Sequence, residues 1–216
     1  MRFGHHLLQI GGKRAPSHYP PHVMNPLEQF LEWHRAAVTA HEADPDAMTV
    51  ASTTKDGHVS ARIVLFRGAD DRGIRFFTNY KSRKGRELFA NPRVAVVFYW
   101  PLLKRQVRIE GRVEQLDPAA SDAYFASRPR GHQLGAWASE QSEEIASLDE
   151  VDARHRALEA EYAGRDVPRP PHWGGFRVVP ARIEFWQGRD NRLHERIVYE
   201  RAKPDEGEWR VLRLSP

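Results

Sequence analysis

From residue 48 onward the chain alternates apolar and polar positions with a period of two, broken by short stretches of helical period. Met48-Thr49-Val50-Ala51-Ser52 alternates, Lys55-Asp56-Gly57-His58 turns, and residues 59–66 resume the pattern. Asp-Gly between two such runs is a strong hairpin signal, because both residues accept the dihedrals of a tight turn. A turn at residues 70–73 leads into a strand over 74–79, and further strands are predicted over 94–100 and 105–116. In the last of these Val107, Ile109 and Val113 alternate with Arg108, Glu110, Arg112 and Glu114, which marks one half-buried face. Three more strands are expected around 176–186, 194–201 and 209–214.

Helices fall between the strands. Asn25-Pro26-Leu27-Glu28 combines an N-cap, proline at the first helical position and an acidic residue in the first turn. Leu27, Phe30, Leu31, His34 and Val38 share one face, so this helix is predicted to run to about residue 43. Ser82 caps a short helix that Asn91-Pro92 stops, and Asp117-Pro118 caps one that runs to about Ser127 and breaks at residues 128–131. Residues 133–142 read as a short helix or loop, and 148–162 as a charged amphipathic helix. Pro168, Pro170 and Pro171 form a stiff connection to the last strands. Residues 1–24, with six Gly or Pro and four His at irregular spacing, read as an extended arm, and 25–216 as a single domain. At least six antiparallel strands with interspersed helices predict a mainly β fold: a closed or split β-barrel with flanking helices.

Composition narrows the function classes. No apolar run approaches the roughly 18 residues that span a bilayer, and the first dozen residues are too polar for a signal peptide, so no membrane contact and a cytoplasmic location are expected. The chain has no cysteine, which removes disulfides, thiolate nucleophiles and zinc–thiolate sites. With 33 Lys and Arg against 29 Asp and Glu, clustering carries more information than the total. The arginines are scattered rather than gathered in a stripe, which favours small phosphorylated ligands over nucleic acid.

Candidate chemistry lies in several places. Between two apolar alternations, residues 186–196 concentrate Trp186, three arginines and His194 around Gly188, Asp190 and Asn191, either a solvated hairpin tip or a cationic and aromatic loop on a rigid support. Arg62 and Arg67 bracket an apolar strand, as strand terminators or as ligands. Thr78 with Ser82-Arg83-Lys84 places hydroxyls, two cations and a helix N-terminus together, a phosphate site or a surface cap. Gln106 offers an amide to a heterocycle edge or to water. Tyr124 and Arg128, four apart on a helix, present a hydroxyl and a planar donor fork on one face. Trp137, Trp173 and Trp186 read as core or cavity wall. Neither metal-ligand spacing, a Ser-His-Asp order, GxGxxG nor a P-loop occurs, so phosphates would be held by dispersed Arg, Lys, Ser and Thr.

The segments Arg62-Ile-Val-Leu-Phe-Arg67, Phe76-Phe-Thr-Asn79 with Ser82-Arg-Lys84, Arg105-Gln106-Val107, residues 124–130, Gly135 through Ser142, Trp173-Gly-Gly175 and Glu184-Phe-Trp-Gln-Gly188 with Arg192-Leu-His194 and Arg196 occur in this order. In these the chain resembles the pyridoxine/pyridoxamine 5′-phosphate oxidases, from about Pro26 to Pro216. The resemblance implies a split β-barrel homodimer with FMN at the subunit interface, oxidising a phosphorylated pyridine with O2. It assigns the flavin site to Arg62, Ile63, Val64, Leu65, Phe66, Arg67, Phe77, Thr78, Arg83, Lys84, Gln106, Gln141, Ser142, Trp186 and Arg196. Arg83 and Lys84 would grip the flavin phosphate. It assigns the substrate phosphate to Arg67, Tyr124, Arg128 and His132, and places Arg192 and His194 over the pyridine ring as the catalytic pair. Two positions depart from the family pattern: Arg67, usually Lys, and His132, commonly a small residue. The arm also lacks the family's usual leader. Other readings with the same features are an FMN oxidase of phenazine type, a noncatalytic flavin- or pyridoxal-phosphate-binding protein, and a basic barrel for nucleic acid.

Overall fold

The computed structural model describes residues 25–216, so the arm expected over 1–24 lies outside the described residues. The Asp56-Gly57 turn joins β1 (Ala47–Thr53) to β2 (Val59–Leu65) as an antiparallel hairpin, with Gly57 at φ +93°, where a Cβ would be strained. A two-residue β3 (Ala69–Asp70), too short to show a period, precedes β4 (Gly73–Asn79). Then come β5 (Arg93–Trp100), β6 (Arg105–Gln115), β7 (Trp173–Gln187), β8 (Glu195–Glu200) and β9 (Arg210–Arg213). All nine join one sheet in the order β2-β1-β5-β6-β7-β4-β3, with β8 and β9 continuing from β7.

The 15-residue β7 explains why the sheet is a split rather than a closed barrel. One of its edges pairs with all of β6, while the other is divided, Trp173 to Val178 against β4 and Arg182 to Gln187 against β8. The sheet therefore forks and stays open. Opposite Glu110 and Gly111 the register slips, Glu110 pairing with Arg182 and Gly111 with Pro180. This extra residue on β7 is a bulge. Its effect shows in burial: Phe176 and Val178 point into the core before it, Ile183 and Phe185 after it. Gly111 permits the close approach, since a Cβ there would lie 2.1 Å from the Val179 carbonyl oxygen.

The barrel is filled by Met48, Val50, Ile74, Phe76, Val96, Phe98, Val107 and Ile109, none with exposed surface. Each large side chain so buried contributes about 1.5–3 kcal/mol before conformational entropy is set against it. Helix α1 (Pro26–Thr39), capped by the Asn25 side chain accepting from the Leu27 amide at 3.0 Å, closes one end. Its Phe30 meets Phe98 and Phe66 at ring distances of 4.9 and 5.3 Å, and Trp33 meets Phe185 edge-on at 5.1 Å. The helix ends four residues sooner than its apolar spacing predicts, because His41 turns to φ +56° and leaves the helical path.

Helices α2 (Arg83–Ala90), α3 (Pro118–Ala126), α4 (Arg130–Ala138) and α5 (Leu148–Glu161) pack outside. Ser82 and Asp117 cap α2 and α3 as expected. The break at residues 128–131 is brief, and α4 begins within it at Arg130, without a side-chain cap. The buried Gln133 amide donates to the Phe125 and Ala126 carbonyls at 3.0 and 3.1 Å, satisfying the open end of α3 and fixing the two helices together. Phe125, Leu134, Val167 and Trp173 form a second, smaller core there. Strand β7 starts three residues before its visible alternation, since Gly174-Gly175 carries no side chains to reveal it. The polar stretch between β7 and β8 is a tight turn, with Asp190–Arg192 in one 3-10 turn. Among the described residues no helix is long and apolar enough to cross a membrane.

Candidate active site

Strand β2, the end of β4, the start of α2 and the α3–α4 pair enclose a cleft of about 520 Å³, a size suited to a cofactor or substrate. Of the residues proposed from sequence for a flavin, Ile63, Val64, Leu65, Arg67, Phe77, Thr78, Lys84 and Gln141 line it. Of those proposed for a substrate phosphate, Arg67, Tyr124, Arg128 and His132 do, His132 at the exposed rim. The cleft also takes in Asn79, Ser139, Trp173 and the small residues Gly131, Gly135 and Ala136, which the sequence did not single out as ligands.

One corner is built by the turn from β4 into α2. The Ser82 hydroxyl accepts from the Gly85 amide at 3.2 Å, and Gly85 has no room for a side chain, because a Cβ would sit 2.2 Å from the Tyr80 carbonyl oxygen. Lys84 Nζ donates to Thr78 Oγ1 at 3.0 Å and Gln141 Oε1 at 2.9 Å, and among the described residues it has no carboxylate partner. Burial, with the nearby Arg62 charge, lowers its pKa from 10.5 to about 8. Arg83 instead faces outward and pairs with Glu87 at 2.9 Å.

Arg62 is likewise spent within the fold. It donates to Ser52 Oγ at 2.6 Å, to the Val50 carbonyl at 3.1 Å and to Glu87 at 3.2 Å. Burial would push the Glu87 carboxyl up, but hydrogen bonds from Ser52, Ser60 and Arg83, with the Arg62 charge, outweigh it and hold the pKa at about 2. Phe66 turns into the core. Arg62, Phe66 and Arg83 therefore back the cleft without lining it. Glu87 was not recognised from sequence, and its partners on β1, β2 and α2 are contiguous only in the fold.

The opposite wall is aromatic. Phe77 stacks on Tyr124 at 3.9 Å and on Trp173 at 5.6 Å. Gly175, across from Phe77 in the sheet, leaves room for that ring, as a Cβ would lie 2.7 Å from its edge. Arg128 lies over Trp173 at 4.5 Å and over Phe125 at 5.6 Å. Its Nη1 is buried and bonded to nothing among the described residues. Burial lowers its pKa, opposed by Tyr124. An unsatisfied buried donor of a charged group costs about 1–3 kcal/mol or more, a cost that an anion bound against this wall would relieve. Lys84 with Thr78 and Arg128 with Tyr124 thus set cations beside hydroxyls at two places in one cleft.

The remaining predicted residues gather elsewhere. Gln106, Trp186 and Arg196 stand side by side across β6, β7 and β8. His194 packs against Trp186 at 4.7 Å and accepts from the Arg189 amide at 3.2 Å through Nδ1. Arg192 occupies the turn at φ +59°. Arg196 Nε donates to Glu184 at 2.9 Å. None of these lines the cleft. Trp173, in the cleft wall, opens β7, and Trp186 is next to its other end. Ser142, beside Gln141, is exposed at φ +76° and also outside the lining. Among the described residues no group of three His, Cys, Asp or Glu could hold a metal ion.

A family model described as pyridoxamine 5′-phosphate oxidase matches residues 34–187, and one described as the pyridoxine 5′-phosphate oxidase C-terminal dimerisation region matches residues 173–216. The chain belongs to the pyridoxine/pyridoxamine 5′-phosphate oxidase family. The oxidase is 56% identical over 192 residues to the pyridoxine/pyridoxamine 5′-phosphate oxidase of a Cyanothece species and 57% identical to that of Thermosynechococcus vestitus, with 89% of each chain covered. Among solved structures it superimposes on PhzG from Burkholderia lata, in complex with tetrahydrophenazine-1-carboxylic acid, with a TM-score of 0.83 at 34% identity, covering 88% of this chain and 92% of that one. A pyridoxamine 5′-phosphate oxidase-related, FMN-binding protein from Nostoc punctiforme shares the fold, with a TM-score of 0.66 at 19% identity over 89% and 97% of the two chains. The region matched as a dimerisation region includes Trp186, Arg192, His194 and Arg196, the cluster that lies away from the oxidase's own cleft.

Proposed function

We propose that the oxidase converts pyridoxamine 5′-phosphate and pyridoxine 5′-phosphate to pyridoxal 5′-phosphate, using FMN and O2 and releasing hydrogen peroxide, with ammonia from the amine. The observation that carries this reading is the pair of cations without carboxylate partners among the described residues, Lys84 and Arg128, at two places in one cleft. Two phosphates, one on a flavin nucleotide and one on a pyridine, fit that donor set, and the names of relatives at 53–57% identity support it. Lys84, Thr78 and the N-terminus of α2 would hold the flavin phosphate, and residues 62–67 would pass along the flavin. Arg128, Tyr124 and Arg67 would grip the substrate phosphate, with His132 at the rim. When bound, FMN supplies the hydride-accepting and oxygen-reducing chemistry, which leaves the protein the tasks of placement and electrostatics.

The remaining residues would come from a second copy. In the homodimer we infer, Gln106, Ser142, Trp186 and Arg196 complete the flavin site at the interface, beside the Gln141 of the cleft itself. Arg192 and His194 stand over the pyridine ring, orienting it and easing proton loss from its amine or hydroxyl group. The exposed Val59, Ile63 and Leu65 on the outer face of β2 give such a contact apolar surface.

The test is an absorption spectrum of the purified protein followed by oxygen uptake with each vitamer phosphate. A flavin spectrum and uptake with both are expected; a colourless protein that refuses added FMN refutes the reading. The likeness to PhzG supports a second reading, in which a tricyclic carboxylic acid replaces the phosphorylated pyridine. Oxygen uptake with a reduced phenazine carboxylate and none with the vitamers would favour it.

A further inference from the structure

Arg67 lines the cleft, yet one of its nitrogens is already committed. Nη1 donates to Asp46 Oδ2 at 2.6 Å and to the Phe66 carbonyl at 2.9 Å, which uses both of its hydrogens. Asp46 is itself held from behind, because its Oδ1 lies 2.8 Å from His34 Nε2. His34 is 14% exposed in its side chain, with its ring 4.9 Å from that of Phe66. The backbone here is pinned as well: the Phe66 amide donates to the Asp46 carbonyl at 2.8 Å, and Trp100 Nε1 to the Pro45 carbonyl at 3.0 Å. A line of contacts thus runs from α1 through the loop before β1 to the guanidinium plane of Arg67. Nε and Nη2 donate to no group among the described residues, and they share the edge of the fork that can take two oxygens at once.

We propose that Asp46, braced by His34, is a positioning residue that turns Arg67 so that its Nε–Nη2 edge meets the oxygens of the substrate's phosphate. The proposal rests on the function inferred above for the cleft. Two effects of Asp46 on an anionic ligand oppose each other, which makes the idea testable by sign. Its negative charge repels the anion, so removing it should tighten binding if charge alone matters. Its grip on Nη1 fixes the fork, so removing it should weaken binding if orientation dominates.

The experiment compares the parent with Asp46→Ala, Arg67→Lys and the double variant. It measures the Kd of pyridoxal 5′-phosphate by calorimetry, which needs no turnover, and KM and kcat with pyridoxamine 5′-phosphate. Asp46→Ala is expected to raise Kd and KM roughly tenfold with kcat changed less than about twofold. In the Arg67→Lys background the same change should leave Kd equal or lower, because an ammonium has no plane to orient and only loses a repelling neighbour. Unchanged or tighter binding by Asp46→Ala in the parent overturns the proposal, as does equal weakening in both backgrounds, which would mark Asp46 as a fold support. Should Asp46→Ala fail to fold, His34→Leu keeps the carboxylate and loses its brace; about a threefold rise in Kd is expected, and no rise overturns the proposal. A parent that binds pyridoxal 5′-phosphate with this pattern but oxidises neither vitamer would sink the oxidase reading and keep the role of Asp46. A parent that does not bind it would overturn both.

Discussion

The two ends of β7 handle positive charge in opposite ways. At its start, Arg128 rests on the face of Trp173 with a buried nitrogen unbonded among the described residues, and nearby Lys84 has two hydroxyls and an amide for company. At its end the buried Glu184 faces Arg196 at 2.9 Å, Arg108 at 3.5 Å and Arg182 at 3.7 Å. A third arrangement lies along β6 and β7, where Arg72, Arg112 and Arg177 share Glu114. The contrast separates two uses of one residue type. At the far end a buried carboxylate gathers arginines from three strands, and at the near end a ring and uncharged groups take its place.

The comparison can be broken at four points. Glu184→Gln leaves three cations around a buried site without their shared anion; for partly exposed partners we expect a loss of about 2–3 kcal/mol and a Tm lower by roughly 4–12 °C. A thermal scan showing less than about 2 °C would mean the far end is not held by charge. Arg128→Ala should leave Tm and flavin content near the parent values while raising KM for pyridoxamine 5′-phosphate about 10–100-fold. Equal KM in variant and parent would remove Arg128 from the substrate site.

Lys84 gives a pH signature of intermediate size. Its pKa of about 8 is below its ordinary value, so it is charged at neutral pH and discharges as pH rises past 8. FMN affinity should then fall by roughly tenfold between pH 7 and 10, the drop moving upward to the extent that the bound phosphate raises the pKa. The unliganded protein should move the other way, gaining stability between about pH 8 and 10.5, where only the unfolded chain keeps that proton. In Lys84→Arg both slopes should vanish, and a parent whose FMN affinity is flat over this range would contradict the assignment. The smallest effect is expected for Arg72→Ala, whose partly exposed partners Glu114 and Asp205 keep other arginines; Tm should stay within about 2 °C.

The sequence reveals most where the causes are local. Asn25, Ser82 and Asp117 each cap the helix they precede, and Asp56-Gly57 makes its hairpin, because a cap or tight turn depends on a few adjacent residues. Ends set by tertiary contacts are less visible. Helix α4 starts at an uncapped position fixed from α3 by Gln133, and β7 begins at glycines that carry no pattern. In the site, residue types pointed to phosphate, but the separation of free from spent cations did not show. Arg62 and Arg83 look like Lys84 and Arg128 in the chain, and only their convergence on Glu87 distinguishes them. Asp46 went unnoticed for the same reason: its partners lie 12 and 21 positions away. A turn of the type Asp44-Pro45-Asp46 immediately before a strand is the only local hint.

The bulge at Ala181 ties two places that never touch. Because side chains alternate along a strand, losing that residue would reverse the facing of everything after it, sending Glu184 inward and Ile183 and Phe185 outward. A single insertion or deletion in β7 therefore reverses that facing unless a bulge is gained or lost with it, and the phase of the tryptophan and arginine at the far end is set by a count that begins at the cleft.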